Sequence, residues 1–249
     1  MTPRVFFIRH GETEWSLNGR HTGTTELPLT ANGEKRIRAT GQALVGNNRL
    51  IVPSKLAHVY VSPRRRAQRT LELLNIGCRD KLPWQEQRGY PDEEVKSEAK
   101  IQITEAIREW DYGDYEGLTS QQIREKRRQE GQSEQWDIWR EGCPGGESPK
   151  DVTRRLDQLI HDIRTRFQQP IMDGFSHEES CGDILLVGHG HILRAFAMRW
   201  VNKPLEDNPA LLLEAGGVGT LSYEHNNIEE PAILLGSAFV VEVTGAAHE

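Results

Sequence analysis

Val5-Phe6-Phe7-Ile8-Arg9-His10-Gly11-Glu12-Thr13 sets the fold: four consecutive apolar residues stop at an arginine, a histidine and a glycine. An apolar run this short, ended by a turn residue, reads as a strand buried on both faces that delivers polar groups at its carboxyl end. Two later stretches repeat the grammar. Val59-Tyr60-Val61 stops at Ser62-Pro63 and continues as Arg64 to Leu74, with Ala67, Leu71 and Leu74 on one helical stripe. Ile184-Leu185-Leu186-Val187 stops at Gly188-His189-Gly190-His191 and runs into Ile192 to Val201 at helical spacing. Strands alternating with helices predict an α/β fold with a mostly parallel sheet, covered on both sides, that binds ligands outside its strand carboxyl ends.

Further helices are expected at Thr30 to Leu44, at Thr119 to Glu130 with Thr119 and Gln122 spaced as a capping box, and at Pro149 to Phe167. In the last, Ser148 caps, Pro149 suits the first turn, and Val152, Leu156, Leu159, Ile163 and Phe167 form an apolar stripe. Residues 77–146 are charged and Trp-rich and read as a mainly helical insertion over the site. Late or edge strands are expected within 218–243, after the turn Gly216-Gly217-Val218-Gly219. A chain of 249 residues carrying these elements reads as a single domain over 1–249.

A formal net charge of −6 argues against a nucleic-acid partner, which needs a concentrated excess of Lys and Arg. Three cysteines, far apart and odd in number, support neither a disulfide framework nor a zinc ribbon. The run Val5 to Ile8 is too short for a signal peptide core or a membrane span, so a cytoplasmic location and no membrane partner are expected.

The three strand ends would bring Arg9, His10, the Ser62-Pro63-Arg64-Arg65-Arg66 run and His189 to one sheet edge. Two histidines and several arginines in one pocket call for an anion. Competing readings are blander. His189-x-His191 has the look of a metal pair but lacks further ligands at zinc spacing, and the three arginines alone read as a solvated helix face. The tryptophans read as packing, and His58, His161, His177 and His248 as ordinary.

Taken with Arg66-Ala67 and Thr70, Arg108-Glu109, Tyr112-Gly113, Glu116-Gly117, Gly146-Glu147-Ser148 and His189-Gly190, the chain resembles the histidine phosphatase superfamily, the phosphoglycerate mutase-like clan. The resemblance covers residues from about 5 to 200 and implies a three-layer α/β/α sandwich and a metal-independent, cofactor-free reaction through a phosphohistidine. His10 is then the nucleophile, Arg9 and Arg66 clamp phosphate oxygens with planar forks, and His189 completes the cradle. Glu109 matches the general-acid position, giving a proton to the leaving oxygen and later taking one from water. Substrate contacts are implied at His21, Thr22, Gly23, Ser62, Tyr112 and Gly190.

Three activities stay open: hydrolase, mutase and non-catalytic phosphoprotein binder. The full catalytic set weighs against the binder. Ser16 after Trp15, and Glu141 where the mutases carry a second arginine after Arg140, weigh against the mutase. Within the phosphatases, Trp15-Ser16, the run Arg108 to Gly117, the run Trp136 to Cys143 and the tail Ala215 to Asn226 resemble the fungal sedoheptulose-1,7-bisphosphatases, with His21 replacing an aromatic Tyr of that group. A sugar bisphosphate needs a second cationic grip, for which Arg194 and His225 are the candidates. The expected partner is a phosphorylated small molecule, and whether the chain forms a homo-oligomer is left open.

Overall fold

A computed structural model describes residues 2–87, 95–175 and 182–235. Its strands are β1 (Val5–Arg9), β2 (Leu56–Val61), β3 (Lys100–Ile103), β4 (Asp183–Gly188), β5 (Val218–Tyr223) and β6 (Pro231–Ile233), joined in one sheet of order β3-β2-β4-β1-β5-β6. The first four are mutually parallel, whereas β5 runs antiparallel to both β1 and β6. Helices in chain order are α1 (Glu14–Asn18), α2 (Ala31–Leu44), α3 (Arg65–Leu74), α4 (Pro83–Gln87), α5 (Ser120–Gln129), α6 (Ile138–Glu141), α7 (Pro149–Ile163), α8 (Gln169–Met172) and α9 (Gly190–Trp200).

Side chains alternate across a strand, so each strand feeds two cores. Phe6, Ile8, Val59, Val61, Leu185 and Val187 pack with Ile37 of α2 and Ala67, Leu71 and Leu74 of α3. Val5, Phe7, Tyr60, Ile184 and Leu186 face the other way, against Val152, Leu156 and Leu159 of α7 and Phe196 and Trp200 of α9. This is the three-layer α/β/α sandwich. Gly219 of β5 is obligatory: a Cβ there would sit 2.1 Å from Cζ of Phe7.

Register places the site. Val61 pairs with Val187 and Arg9 with Gly188, so the parallel strands end level. His10 N–H then donates to the Gly188 carbonyl (2.9 Å) and Ser62 N–H to the Val187 carbonyl (3.0 Å).

Segment 77–146 is less helical than expected. Beside α4, α5 and α6 it contributes β3, a four-residue, largely exposed edge strand parallel to β2, and the irregular stretch carrying Glu109 and Tyr112; residues 88–94 lie outside the described residues. The helix expected through Phe167 ends at Ile163, where a wide turn over Arg164–Gln168 carries the stripe onward. Of the late strands, β5 and β6 fall in the expected range, while 236–243 lie outside the described residues. Among the described residues no helix is long and apolar enough to cross a membrane.

Candidate active site

His10 follows β1 directly and is buried. Its Nδ1 lies 2.7 Å from the Gly11 carbonyl, which can only accept, so Nδ1 carries the proton and Nε2 keeps its lone pair. Burial, with Arg66 and Arg9 nearby, holds the imidazole well below its ordinary range. The ring is therefore neutral at pH 7. It lines a cavity of about 260 Å³ together with Arg9, Thr22, Glu109, Tyr112 and Gly190. Arg9 donates through Nη1 to the Leu213 carbonyl (2.8 Å), while its buried Nε has no hydrogen-bond partner among the described residues and the guanidinium lies against Gly190.

His189 sits beside His10, with ring centroids 5.1 Å apart. Its Nδ1 accepts from Nε of Arg66 (3.2 Å), so Nε2 carries the proton and donates to Ser62 Oγ (2.7 Å). Burial and the nearby cation Arg66 hold it neutral as well. Arg66 has no solvent exposure and spends its remaining bonds on the carbonyls of Thr25 (2.8 Å), Thr22 (3.0 Å) and Gly23 (3.1 Å). A Cβ on Gly23 would stand 2.4 Å from the Trp110 carbonyl, so only glycine lets this loop close over the guanidinium.

Glu109 occupies the amino end of α9. Its Oε1 accepts from the backbone N–H of Trp110 (3.0 Å) and Ile192 (2.9 Å), and Oε2 from that of His191 (3.1 Å). The stretch carrying Glu109 is braced by Glu147, which takes a bidentate grip from Arg155 (2.9 Å twice), a bond from Arg108 (3.0 Å) and one from the Asp111 N–H (3.0 Å). Arg155 also donates to the carbonyls of Ala106 and Arg108.

Residues 5–89 and 93–232 match the family model described as the histidine phosphatase superfamily, branch 1. The chain belongs to that superfamily. It is 34% identical to the sedoheptulose 1,7-bisphosphatase of Saccharomyces cerevisiae, covering 96% of this chain and 94% of the relative. An acid phosphatase of Mycobacterium tuberculosis is also 34% identical, over 93% and 91% of the two chains. A solved Mycobacterium tuberculosis structure superposes with a TM-score of 0.68 at 30% identity, covering 94% of this chain and 97% of that one. As a histidine phosphatase with these relatives, the protein is a phosphoric monoester hydrolase.

Within this histidine phosphatase the expected site residues fall into three groups. Arg9, His10, His21, Thr22, Glu109, Tyr112, Gly190 and Arg194 line one cavity. Arg66, His189, Ser62 and Gly23 are brought to the same sheet edge but make up a bonded layer that does not line the cavity, so Ser62 touches His189 where a substrate contact was expected. Two of the first amides of α9, those of His191 and Ile192, go to Glu109. His225 is not brought to the site at all. Because β5 runs antiparallel to β1, its far end emerges at the opposite sheet edge, where His225 is 80% exposed and paired with Glu230 (2.7 Å). The expectation of a distal-phosphate grip at His225 is corrected accordingly.

The metal reading of His189-x-His191 also lacks geometry. Both nitrogens of His189 are bonded to Arg66 and Ser62, and Nδ1 of His191 is 2.7 Å from the Tyr112 hydroxyl. His191 is instead a wall residue, tilted against Trp139 and stacked on His21. Sequence reasoning missed the brace Arg155, whose only local signal is the acid of the Gly146-Glu147-Ser148 motif it clasps.

Proposed function

We propose that the protein hydrolyses sugar bisphosphates, with sedoheptulose 1,7-bisphosphate the preferred substrate and sedoheptulose 7-phosphate the product. The observation that carries the chemistry is the His10 tautomer: a neutral, buried imidazole with Nδ1 spent on Gly11 leaves Nε2 as the attacking lone pair. In the first half-reaction the Nε2–P bond forms, the P–O bond to the sugar breaks, and the departing oxygen takes a proton from Glu109. Oε2, which accepts a single backbone bond where Oε1 accepts two, is the oxygen that carries it. In the second, Glu109 takes a proton from water, whose oxygen attacks phosphorus as the P–N bond breaks, returning neutral His10 and free phosphate.

Positive charge on the equatorial oxygens comes from Arg9 and, beneath it, Arg66, so these residues supply what a divalent ion supplies in other phosphatases. Arg194 faces the same cavity with its guanidinium 5.2 Å from the Trp139 ring centroid, and only Nε and Nη1 are used, on the Gly190 and Leu211 carbonyls. Its Nη2 serves a second anionic group. Hydrolysis is favoured over mutase transfer because Glu141 pairs with Arg127 (2.8 Å) and Arg140 faces Asp137, and neither lines the cavity.

A panel of sedoheptulose 1,7-bisphosphate, fructose 1,6-bisphosphate, 3-phosphoglycerate and p-nitrophenyl phosphate, scored for phosphate release and isomerised product, tests this reading. The bisphosphates should have the highest kcat/KM, no isomer should form, and EDTA should leave turnover intact. His10→Ala should abolish both turnover and trapping of labelled phosphate on the protein. Labelling that persists in that variant refutes the phosphohistidine.

A further inference from the structure

Three arginines line the catalytic cavity, and their engagement differs. Arg9 and Arg194 both hold backbone carbonyls, Arg9 that of Leu213 and Arg194 those of Gly190 and Leu211, so each is partly spent on the protein; Arg9, directly before His10, is the one beside the scissile phosphate. Arg20 enters from the turn after α1 and is exposed. Among the described residues it forms no ion pair, and its one side-chain hydrogen bond is a long 3.4 Å contact to the Gly117 carbonyl. Its guanidinium lies 5.9 Å from the Trp15 ring centroid.

Trp15 is held in place in turn. Gly117 has φ +74°, and a Cβ on it would stand 2.9 Å from Cη2 of Trp15, so the indole lies close on that backbone. Arg20 thus has an aromatic base and a spare charge. Glu214, also lining the cavity and exposed, puts a negative charge on its rim. At about 260 Å³ the cavity lies just below the range of roughly 300–1,000 Å³ for ligand sites. A seven-carbon chain phosphorylated at both ends keeps its two phosphates apart, so with one at His10 the other is directed toward the rim.

We propose that Arg20 is a specificity-determining residue that holds the phosphate distal to the scissile one, from the rim, while Arg194 approaches it from the cavity wall. This rests on the sugar-bisphosphate reading above. Among the described residues only the Gly117 carbonyl takes an N–H of Arg20, so the others turn to the ligand, and an exposed cation recognises the distal phosphate largely through charge.

The test compares kcat/KM for sedoheptulose 1,7-bisphosphate with that for p-nitrophenyl phosphate in Arg20→Ala, Arg20→Lys and Arg20→Glu. The bisphosphate-to-monophosphate ratio should fall about tenfold in the Ala variant, a typical effect of losing one charged hydrogen bond. It should fall less in Lys, more in Glu, and appear in KM rather than kcat. The wild-type ratio should also shrink as ionic strength rises from about 0.02 to about 0.5 M, because an exposed cation is screened.

A ratio unchanged within about twofold across the three variants refutes Arg20. So does an equal loss on both substrates, the mark of a strut between Trp15 and Gly117. A fall that appears instead in Arg124→Ala, on the neighbouring cavity behind His21 and His191, refutes it too. A wild-type protein with no bisphosphate preference takes down the sugar-bisphosphate reading and this inference together, whereas a wild-type preference that survives in the variants removes Arg20 alone.

Discussion

Replacing Arg66 with alanine should produce three separable changes. The side chain has no solvent exposure and makes four hydrogen bonds, to His189 Nδ1 and to the carbonyls of Thr25, Thr22 and Gly23. Truncation leaves at least the buried Gly23 carbonyl and His189 Nδ1 unpaired, at about 1–3 kcal/mol each. At about 2–6 kcal/mol in total, and about 2–4 °C of melting temperature per kcal/mol for a chain of this size, the midpoint should drop by about 4–24 °C.

Turnover should fall by about 10²-fold or more, because a cation beneath the reacting phosphate is lost together with the anchor of His189 and of the 22–25 loop. The third change is in pH dependence. Arg66 is one of the charges holding His10 low, so its loss should move the acidic limb of kcat/KM upward. Scanning calorimetry with kcat/KM measured across the acidic range reads all three, and Arg66→Lys separates charge from fork: an ammonium restores part of the pH shift but not three carbonyl bonds. A variant that melts within about 1 °C of wild type and turns over within about twofold would show that the Arg66 layer neither holds the loop nor supports the reaction.

In the wild type, neutral His10 is the reactive form and its pKa lies below the ordinary value of about 6.5, so kcat/KM should stay flat through that pH and fall only in more acidic buffer; a midpoint at or above it contradicts the assignment. His10, His189 and His191 are all lowered by burial, so as pH falls below about 6.5 the unfolded chain takes up protons that the folded one refuses. Stability should therefore be full above that value and decline through the window beneath it, which urea titrations at several pH values would register. Arg155→Ala removes the bidentate clasp on Glu147, and at about 3–5 kcal/mol for one broken partner of a buried pair it should lower the melting point markedly and depress kcat through Glu109; an unchanged kcat would separate the brace from catalysis. Arg194→Ala should cost roughly ten- to hundred-fold in kcat/KM on a bisphosphate and little on p-nitrophenyl phosphate. Equal losses would make it a packing residue on Trp139.

What the sequence disclosed and what it hid follow from how local each signal is. The apolar runs ending at His10, Ser62 and His189 carry their meaning within ten residues, and parallel pairing then fixes where they meet. Capping at Thr119 and Ser148 is equally local, and both residues cap as expected. Lys100–Ile103 was illegible because an edge strand with one hydrogen-bonded neighbour and three exposed residues has no apolar run to show. His225 was misplaced for a different reason: its composition and proximity to a glycine turn say nothing about strand direction, and direction alone decides at which end it emerges. Arg155 and Arg20 are ordinary arginines until their partners at Glu147 and Trp15, distant or across a turn, are in view.

The stretch 209–214 lacks helix or strand, yet it supplies Leu212, Leu213 and Glu214 to the cavity wall. Immediately after it the backbone locks onto β1: Gly216 N–H reaches the carbonyls of Arg9 (3.1 Å) and His10 (3.2 Å), and Arg9 N–H reaches the Gly217 carbonyl (3.1 Å). Residues 209–214 are therefore tied to the reaction centre from two sides, by the 216–217 clip on the His10 strand and by the carbonyls of Leu211 and Leu213, which hold Arg194 and Arg9. Loop insertions are thermodynamically cheap, so length can change before Leu211 at little cost in stability. Beyond that point the wall that meets the leaving group and the arginines that meet phosphate share one backbone, so a change that shifts the Leu213 carbonyl also shifts Arg9.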